Sequence, residues 1–162
     1  MSYLAYYFFP RDARVNYGAL LQGQAPVSIR AMRLDGTPFD IATLRGRWVV
    51  LFAGAGGCAG PCADALYASR QARTIQNAER DRVQRVWLII DDPTPSPGVL
   101  AEHPDLIAVR VGTSTPNGLP AGVDRIYLID PLGNFVLAWP SRPDVKAMAR
   151  DLTRLLRASR IG

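Results

Sequence analysis

Two short apolar runs, "RWVVLFA" (Arg47 to Ala53) and "RVWLII" (Arg85 to Ile90), flank a segment of helical periodicity, and this strand, helix, strand order limits the folds open to the chain. Each run is rich in β-branched and aromatic residues and nearly free of polar alternation, as a central strand buried on both faces requires. Between them Ala65, Leu66, Ser69, Ala72 and Ile75 recur at helical spacing and predict a helix from Cys58 or Gly60 to about Arg80. Upstream, "VSIRAMRLDGTPFDI" alternates and turns at Asp35-Gly36, which reads as a hairpin. Downstream, "DLIAVRVG" is a third strand and "RIYLIDPLGNFVLAW" is two strands around the turn from Asp130 to Asn134. The last segment carries Val145, Met148, Ala149, Leu152, Leu155 and Leu156 on one face, an amphipathic helix with Pro143 and Asp144 suited to its start. Met148 is a core residue on this reading. These elements predict an α/β sandwich with a central mixed sheet flanked by helices.

A chain of 162 residues is long enough to bury one core, and its 48% apolar and 20% charged composition is that of a folded domain. The proline-rich "DDPTPSPG" (Asp91 to Gly98) is one loop, too short to be a linker between domains. The net charge of +5 raises the question of a nucleic-acid partner. Arginine outnumbers lysine 18 to 1, but the cations are scattered and interleaved with Asp12, Asp64, Glu79, Asp81 and Asp151. No nucleic-acid partner is expected. At the start of the chain, "YLAYYFF" (Tyr3 to Phe9) is too short to span a bilayer and lacks the features of a signal peptide. Its aromatic character suits a membrane-interface boundary, so residues 1–25 are read as an arm next to a membrane anchor, or as an arm packed on its own domain. Residues 26–162 are read as the folded unit.

The loop after the first apolar run, "GAGGCAGPC", admits two chemistries. Gly54, Gly56 and Ala59 fit the glycine pattern of a dinucleotide loop, but that pattern needs an acidic residue about 20 residues on, at the end of the next strand. Here that strand ends at Asp91, 32 residues past Ala59, and no Gly-Lys-Ser/Thr follows to make a P-loop. The thiol reading uses more of the loop. Cys58 lies at a strand-to-helix junction, where unpaired backbone N–H groups and the helix dipole favour a thiolate. Cys62 follows four residues on. In a regular helix that spacing leaves the two Cβ atoms too far apart for a disulfide, so the turn must be irregular, and Gly57, Gly60 and Pro61 permit this. The bland alternative is a pair of small buried apolar residues. With two cysteines and one histidine, His103, the chain lacks ligands for a closed zinc site.

These segments together resemble thioredoxin-fold proteins of the branch holding the Sco/SenC copper-assembly proteins and the membrane-tethered thiol reductases similar to TlpA. "LDGTPFDIATLRGRWVVLF" is similar to the family's leading hairpin, link and first buried strand. "CAGPC" matches the Sco-type C-x-x-x-C. "IIDDPTPSPGVL" resembles the segment after the second strand, with its aspartate, prolines and short helix, and "IYLIDPLGNFV" the late hairpin. The resemblance implies a thiol-disulfide oxidoreductase of the bacterial cell envelope, periplasmic and tethered to the cytoplasmic membrane. In it Cys58 attacks, Cys62 resolves, and no cofactor is needed. The implied partner is a protein disulfide or dithiol, such as a respiratory-oxidase subunit or copper chaperone in oxidase assembly.

The alternative it implies is a Cu(I) metallochaperone with Cys58 and Cys62 as ligands, since thiolates select that ion. A further alternative is a docking domain with a static disulfide. The chain departs from the family in three places. Gly112 to Asp130 lacks the Sco histidine, Ala63 stands where a proline often follows the second cysteine, and Ala55 lacks the threonine of a peroxiredoxin. Where thioredoxin-like reductases place a cis-proline against the disulfide, alignment through "YLID" puts Asp124, with Arg125 beside it as a candidate thiolate partner. His103 is expected to be structural.

Overall fold

The structure is a computed structural model, and it describes residues 16–21, 27–111 and 118–159. The two apolar runs form β4 (Trp48–Gly54) and β5 (Val83–Ile89), which pair in parallel, as a crossover helix between them requires. That helix, α1, covers Pro61–Thr74. The remaining strands are β1 (Ala19–Leu20), β2 (Arg30–Arg33), β3 (Pro38–Asp40), β6 (Leu106–Val111), β7 (Arg125–Ile129) and β8 (Phe135–Pro140). They make one mixed sheet in the order β1-β8-β7-β4-β5-β6-β2-β3. A short helix α2 (Pro97–Glu102) follows the proline loop, capped by the Ser96 side chain, and α3 (Val145–Ser159) closes the described chain.

Strand alternation divides the interior into two halves. Trp48, Val50 and Phe52 face α1 and α3, whose Ala65, Leu66, Met148, Leu152 and Leu156 complete that half of the core. Val49, Leu51 and Ala53 face the other way, onto Val27, Ile29, Ile41 and Leu119. The latter come from extended segments and the 3-10 turn Ile41–Leu44. Met148 is fully buried, as its place in the apolar stripe predicts.

Two boundaries differ from the sequence expectation. The crossover helix stops at Thr74, and Asn77 at φ +55° begins a 3-10 turn over Asn77–Arg82. Ile75, expected on the buried stripe, falls at the helix C-cap and is 48% exposed. The stretch assigned to the N-terminal arm contributes β1, paired with Ala138 and Leu137 of β8, so the sheet begins before residue 26. Beside it the Asp151 carboxylate accepts the Tyr17 and Gly18 N–H groups and the Trp139 indole N–H. The run Tyr3 to Phe9 lies outside the described residues. Among those described, no helix is long and apolar enough to cross a membrane.

Candidate functional site

The two cysteines meet where β4 hands over to α1. Cys58 and Cys62 form a disulfide with Cα atoms 4.8 Å apart. The local backbone departs from a helix to achieve this, since Cys58 has φ +49° and Gly60, the helix N-cap, has φ +55°. Left-handed geometry is disfavoured for a residue with a side chain, so Gly60 supplies the conformation cheaply and Cys58 adopts it at a cost. Pro61 then starts the helix at a position where its missing N–H is no loss. Cys62 sits in the first turn, 5% exposed and packed into the α1-side core, while Cys58 is partly buried at the rim of that core. Gly57 is exposed beside it. Cys58 is therefore the more accessible residue of the bonded pair, and Cys62 lies inside the core.

At Gly56 the loop is packed against the protein itself. A Cβ on Gly56 would stand 2.0 Å from the Pro93 carbonyl oxygen, and the Gly56 N–H is donated to Asp91 Oδ1 at 2.8 Å. This N–H is thus committed within the protein and not free for a phosphate, and Asp91, two residues past β5, anchors the loop that carries Cys58.

Asp124 and Arg125 enter from the start of β7. Asp124 has φ +59°, donates its N–H to the Ala53 carbonyl at 2.7 Å, and its Oδ1 lies 3.4 Å from where a Cβ on Gly54 would stand. No cis peptide occurs among the described residues. Arg125 pairs with Ala53, whose side chain faces away from α1, and shares the face of Tyr127. It is not brought to the cysteines.

Sequence reasoning missed a cation at the mouth of α1. Arg142, in the turn between β8 and α3, donates from Nε to Asp64 Oδ2 at 2.6 Å, and its Nη2 lies 3.4 Å from the Cβ position of Gly60, midway between the two cysteines. Its place after Trp139 in a Ser-Arg-Pro turn gives no local signal, because the contact depends on how α3 returns beside α1.

His103 lies in a separate buried cluster. Arg85, fully buried on β5, donates from Nη2 to the Leu66 carbonyl and to His103 Nδ1 at 3.1 Å, and from Nη1 to Asp105 at 3.0 Å. A guanidinium only donates, so His103 Nδ1 is the acceptor here and carries no proton. Burial, with Arg85 and Arg70 nearby, holds the imidazole below its ordinary value, and burial pushes Arg85 down to about 10. The histidine is thereby occupied as a structural acceptor. Among the described residues no three His, Cys, Asp or Glu side chains are grouped to hold a metal, so a soft ion would find the two cysteine sulfurs, once reduced, and no imidazole.

A family described as "Transmembrane-like, thioredoxin-like, C-terminal domain" matches residues 48–159. No curated protein matches the chain by sequence. Among solved structures, yeast Sco1 with copper bound is similar, with 18% identity, a TM-score of 0.67, and 83% of this chain and 90% of that one covered. A SCO1/SenC family lipoprotein from Bacillus anthracis str. Ames has 16% identity and a TM-score of 0.64, covering 83% and 96%. The thioredoxin domain of a thiol-disulfide oxidoreductase from Bacteroides vulgatus has 15% identity and a TM-score of 0.63, covering 85% and 99%. These likenesses establish a thioredoxin-like α/β fold.

Proposed function

Since the chain belongs to the transmembrane-like, thioredoxin-like C-terminal domain family, we propose that it is a thiol-disulfide oxidoreductase in which Cys58 attacks and Cys62 resolves. The observation that carries this reading is a bonded cysteine pair at a helix mouth in which Cys58 is partly exposed and Cys62 is buried. In the reducing direction, the Cys58 thiolate attacks one sulfur of a partner disulfide. A Cys58–partner bond forms, the partner S–S bond breaks, and its second sulfur leaves as a thiolate. The Cys62 thiolate then attacks Cys58, re-forms the internal disulfide and releases the first partner sulfur. The protein loses two electrons, the partner gains two, and the protons freed from Cys58 and Cys62 balance those taken up by the partner thiols. Cys62 is the second residue of the helix and already against Cys58, so the second step is intramolecular and outpaces escape of the trapped partner.

The reading extends to a domain working on the outer side of a bacterial cytoplasmic membrane, as a reductant of a protein disulfide in oxidase or copper-site assembly. The family's transmembrane-like description and the fold shared with Sco proteins support it. An active-site pair can cycle in an oxidising compartment when a donor re-reduces it. The reduced protein, mixed with a disulfide peptide, is expected to yield dithiol peptide. Cys62→Ser is expected to accumulate a mixed disulfide with it and Cys58→Ser neither product. Peptide reduction by Cys58→Ser at the wild-type rate would overturn the assignment.

A second reading, Cu(I) carriage, has the fold of copper-bound yeast Sco1 in its favour. The donor set here is two thiolates, which suits soft Cu(I) in low coordination and leaves Cu(II) without an imidazole. Stoichiometric Cu(I) uptake by the reduced protein, lost in Cys58→Ser and accompanied by no peptide reduction, would favour it.

A further inference from the structure

Helix α3 has an outer face of one sign. Its acidic residue, Asp151, is buried, while Lys146, Arg150, Arg154 and Arg157 are all exposed. Their spacing of four, four and three residues sets them on one side of the helix over roughly 16 Å. They rim a shallow groove of about 560 Å³ whose lining includes Ile75 and Ala149. The apolar residue that the helical periodicity predicted to be buried thus lies, half-exposed, among four cations. The chain also joins the domain at this face. Asn16 Oδ1 accepts from Arg154 Nη1 at 3.2 Å and the Tyr17 N–H is held by Asp151, so residues 16 and 17 are tied down beside the cationic stripe.

We propose that the outer face of α3 docks on a membrane surface of anionic lipid headgroups. A linear stripe of cations around a shallow, open groove matches a plane of phosphodiester charge, and an exposed isoleucine among them suits the boundary between headgroup and acyl chain. The apolar part of the docking face lies away from the disulfide. Ile75 follows the last residue of α1, whereas Cys62 is in its first turn, and a helix of 14 residues separates them by about 20 Å. The proposal is independent of the thiol chemistry and is read with the disulfide intact.

The test is co-sedimentation of the full chain with vesicles of phosphatidylcholine alone and of phosphatidylcholine mixed with phosphatidylglycerol. Binding is expected to the mixed vesicles, and to weaken steeply with added salt. A triple variant, Lys146→Gln, Arg150→Gln and Arg157→Gln, is expected to lose at least about tenfold in binding, since each cation near such a surface is worth roughly fivefold before screening. The matched control, Arg30→Gln, Arg33→Gln and Arg47→Gln, removes the same charge from exposed sites elsewhere and is expected to bind like the wild type. Equal loss in the two triple variants, binding unaffected by either, or no preference for anionic vesicles would overturn the proposal, including where an acidic protein is found to bind α3 instead. All six sites are exposed, and an unchanged far-UV spectrum and melting profile confirm the fold.

Discussion

Arg142 is 62% exposed, yet Asp64 fixes the direction of its guanidinium, so its charge is held over Gly60 and not left to wander in solvent. A fixed cation beside a cysteine favours the thiolate. In reduced Cys62→Ser protein, where Cys58 is the remaining thiol, Arg142→Ala is expected to slow alkylation at neutral pH by about two- to fivefold, the span of an exposed charge pair. The pH midpoint of the reaction should move upward. Arg142→Lys is expected to restore most of the rate, and removing Arg150 by the same substitution should change nothing, which separates a local field from a loss of net charge. A second residue carries a different pH dependence. His103 is held neutral by burial, with Arg85 and Arg70 on one side and Asp105 and Glu102 only partly offsetting them. Its folded value lies below the 6.5 of the free side chain, so on acidification the unfolded chain takes up a proton that the native state refuses. Stability is therefore expected to fall as pH drops below about 6.5, levelling off beneath the folded value. Urea midpoints measured down this range should decline for the wild type and decline less for His103→Gln, whose amide oxygen can still accept from Arg85.

Asp151 shows what an element owes to residues far from it in sequence. The carboxylate sits on α3 and takes N–H groups from Tyr17 and Gly18 before β1 and from Trp139 on β8, with Arg154 beside it at 3.4 Å. Asp151→Ala would strand three buried or half-buried donors, and a loss of roughly 3 to 5 kcal/mol is expected from removing one side of such a cluster. Hydrogen exchange should show Ala19 and Leu20 losing protection from β8 first. An unchanged melting temperature with protected β1 amides would count against this. The same example marks where sequence reading stops. β4, β5, β7, β8 and α3 were legible because each is long enough to display a period or a continuous apolar run. β1 spans two residues and has no pattern of its own, and its existence depends on Asp151 and on the free edge of β8. The end of α1 was overrun because Ile75 continues the apolar spacing, whereas Asn77 in a left-handed conformation breaks the backbone that the spacing assumes. At the site, the cysteine pair and the irregular turn could be read from Gly60 and Pro61. Arg142 could not, since its approach is a matter of tertiary return, and Arg125 was drawn toward the cysteines by alignment when strand alternation sends it to the opposite face.

At the scale of the whole molecule, the central strands belong to both halves of the core, because alternate residues of β4, β5 and β7 face opposite sides. Neither half can open without exposing apolar surface of the other, so unfolding is expected to be one transition. The disulfide contributes little to that cooperativity. It joins residues four apart, and closing so short a loop removes little entropy from the unfolded chain, roughly 2 kcal/mol on the chain-entropy account. For a domain of this size that corresponds to a fall of about 4 to 8 °C in Tm on reduction. The reduced protein is therefore expected to stay folded, with Cys62 still packed in the α1-side core and Cys58 at the rim. This separates a working thiol pair from a structural staple, since a pair that must open in every cycle cannot be what holds the fold together. Differential scanning calorimetry with and without reductant measures it directly, with Cys58→Ser as a permanently open reference. A single transition, lowered by a few degrees on reduction and likewise in Cys58→Ser, is the expected result. A loss of the transition on reduction would make the bond structural and turn the reading toward a docking domain with a static disulfide.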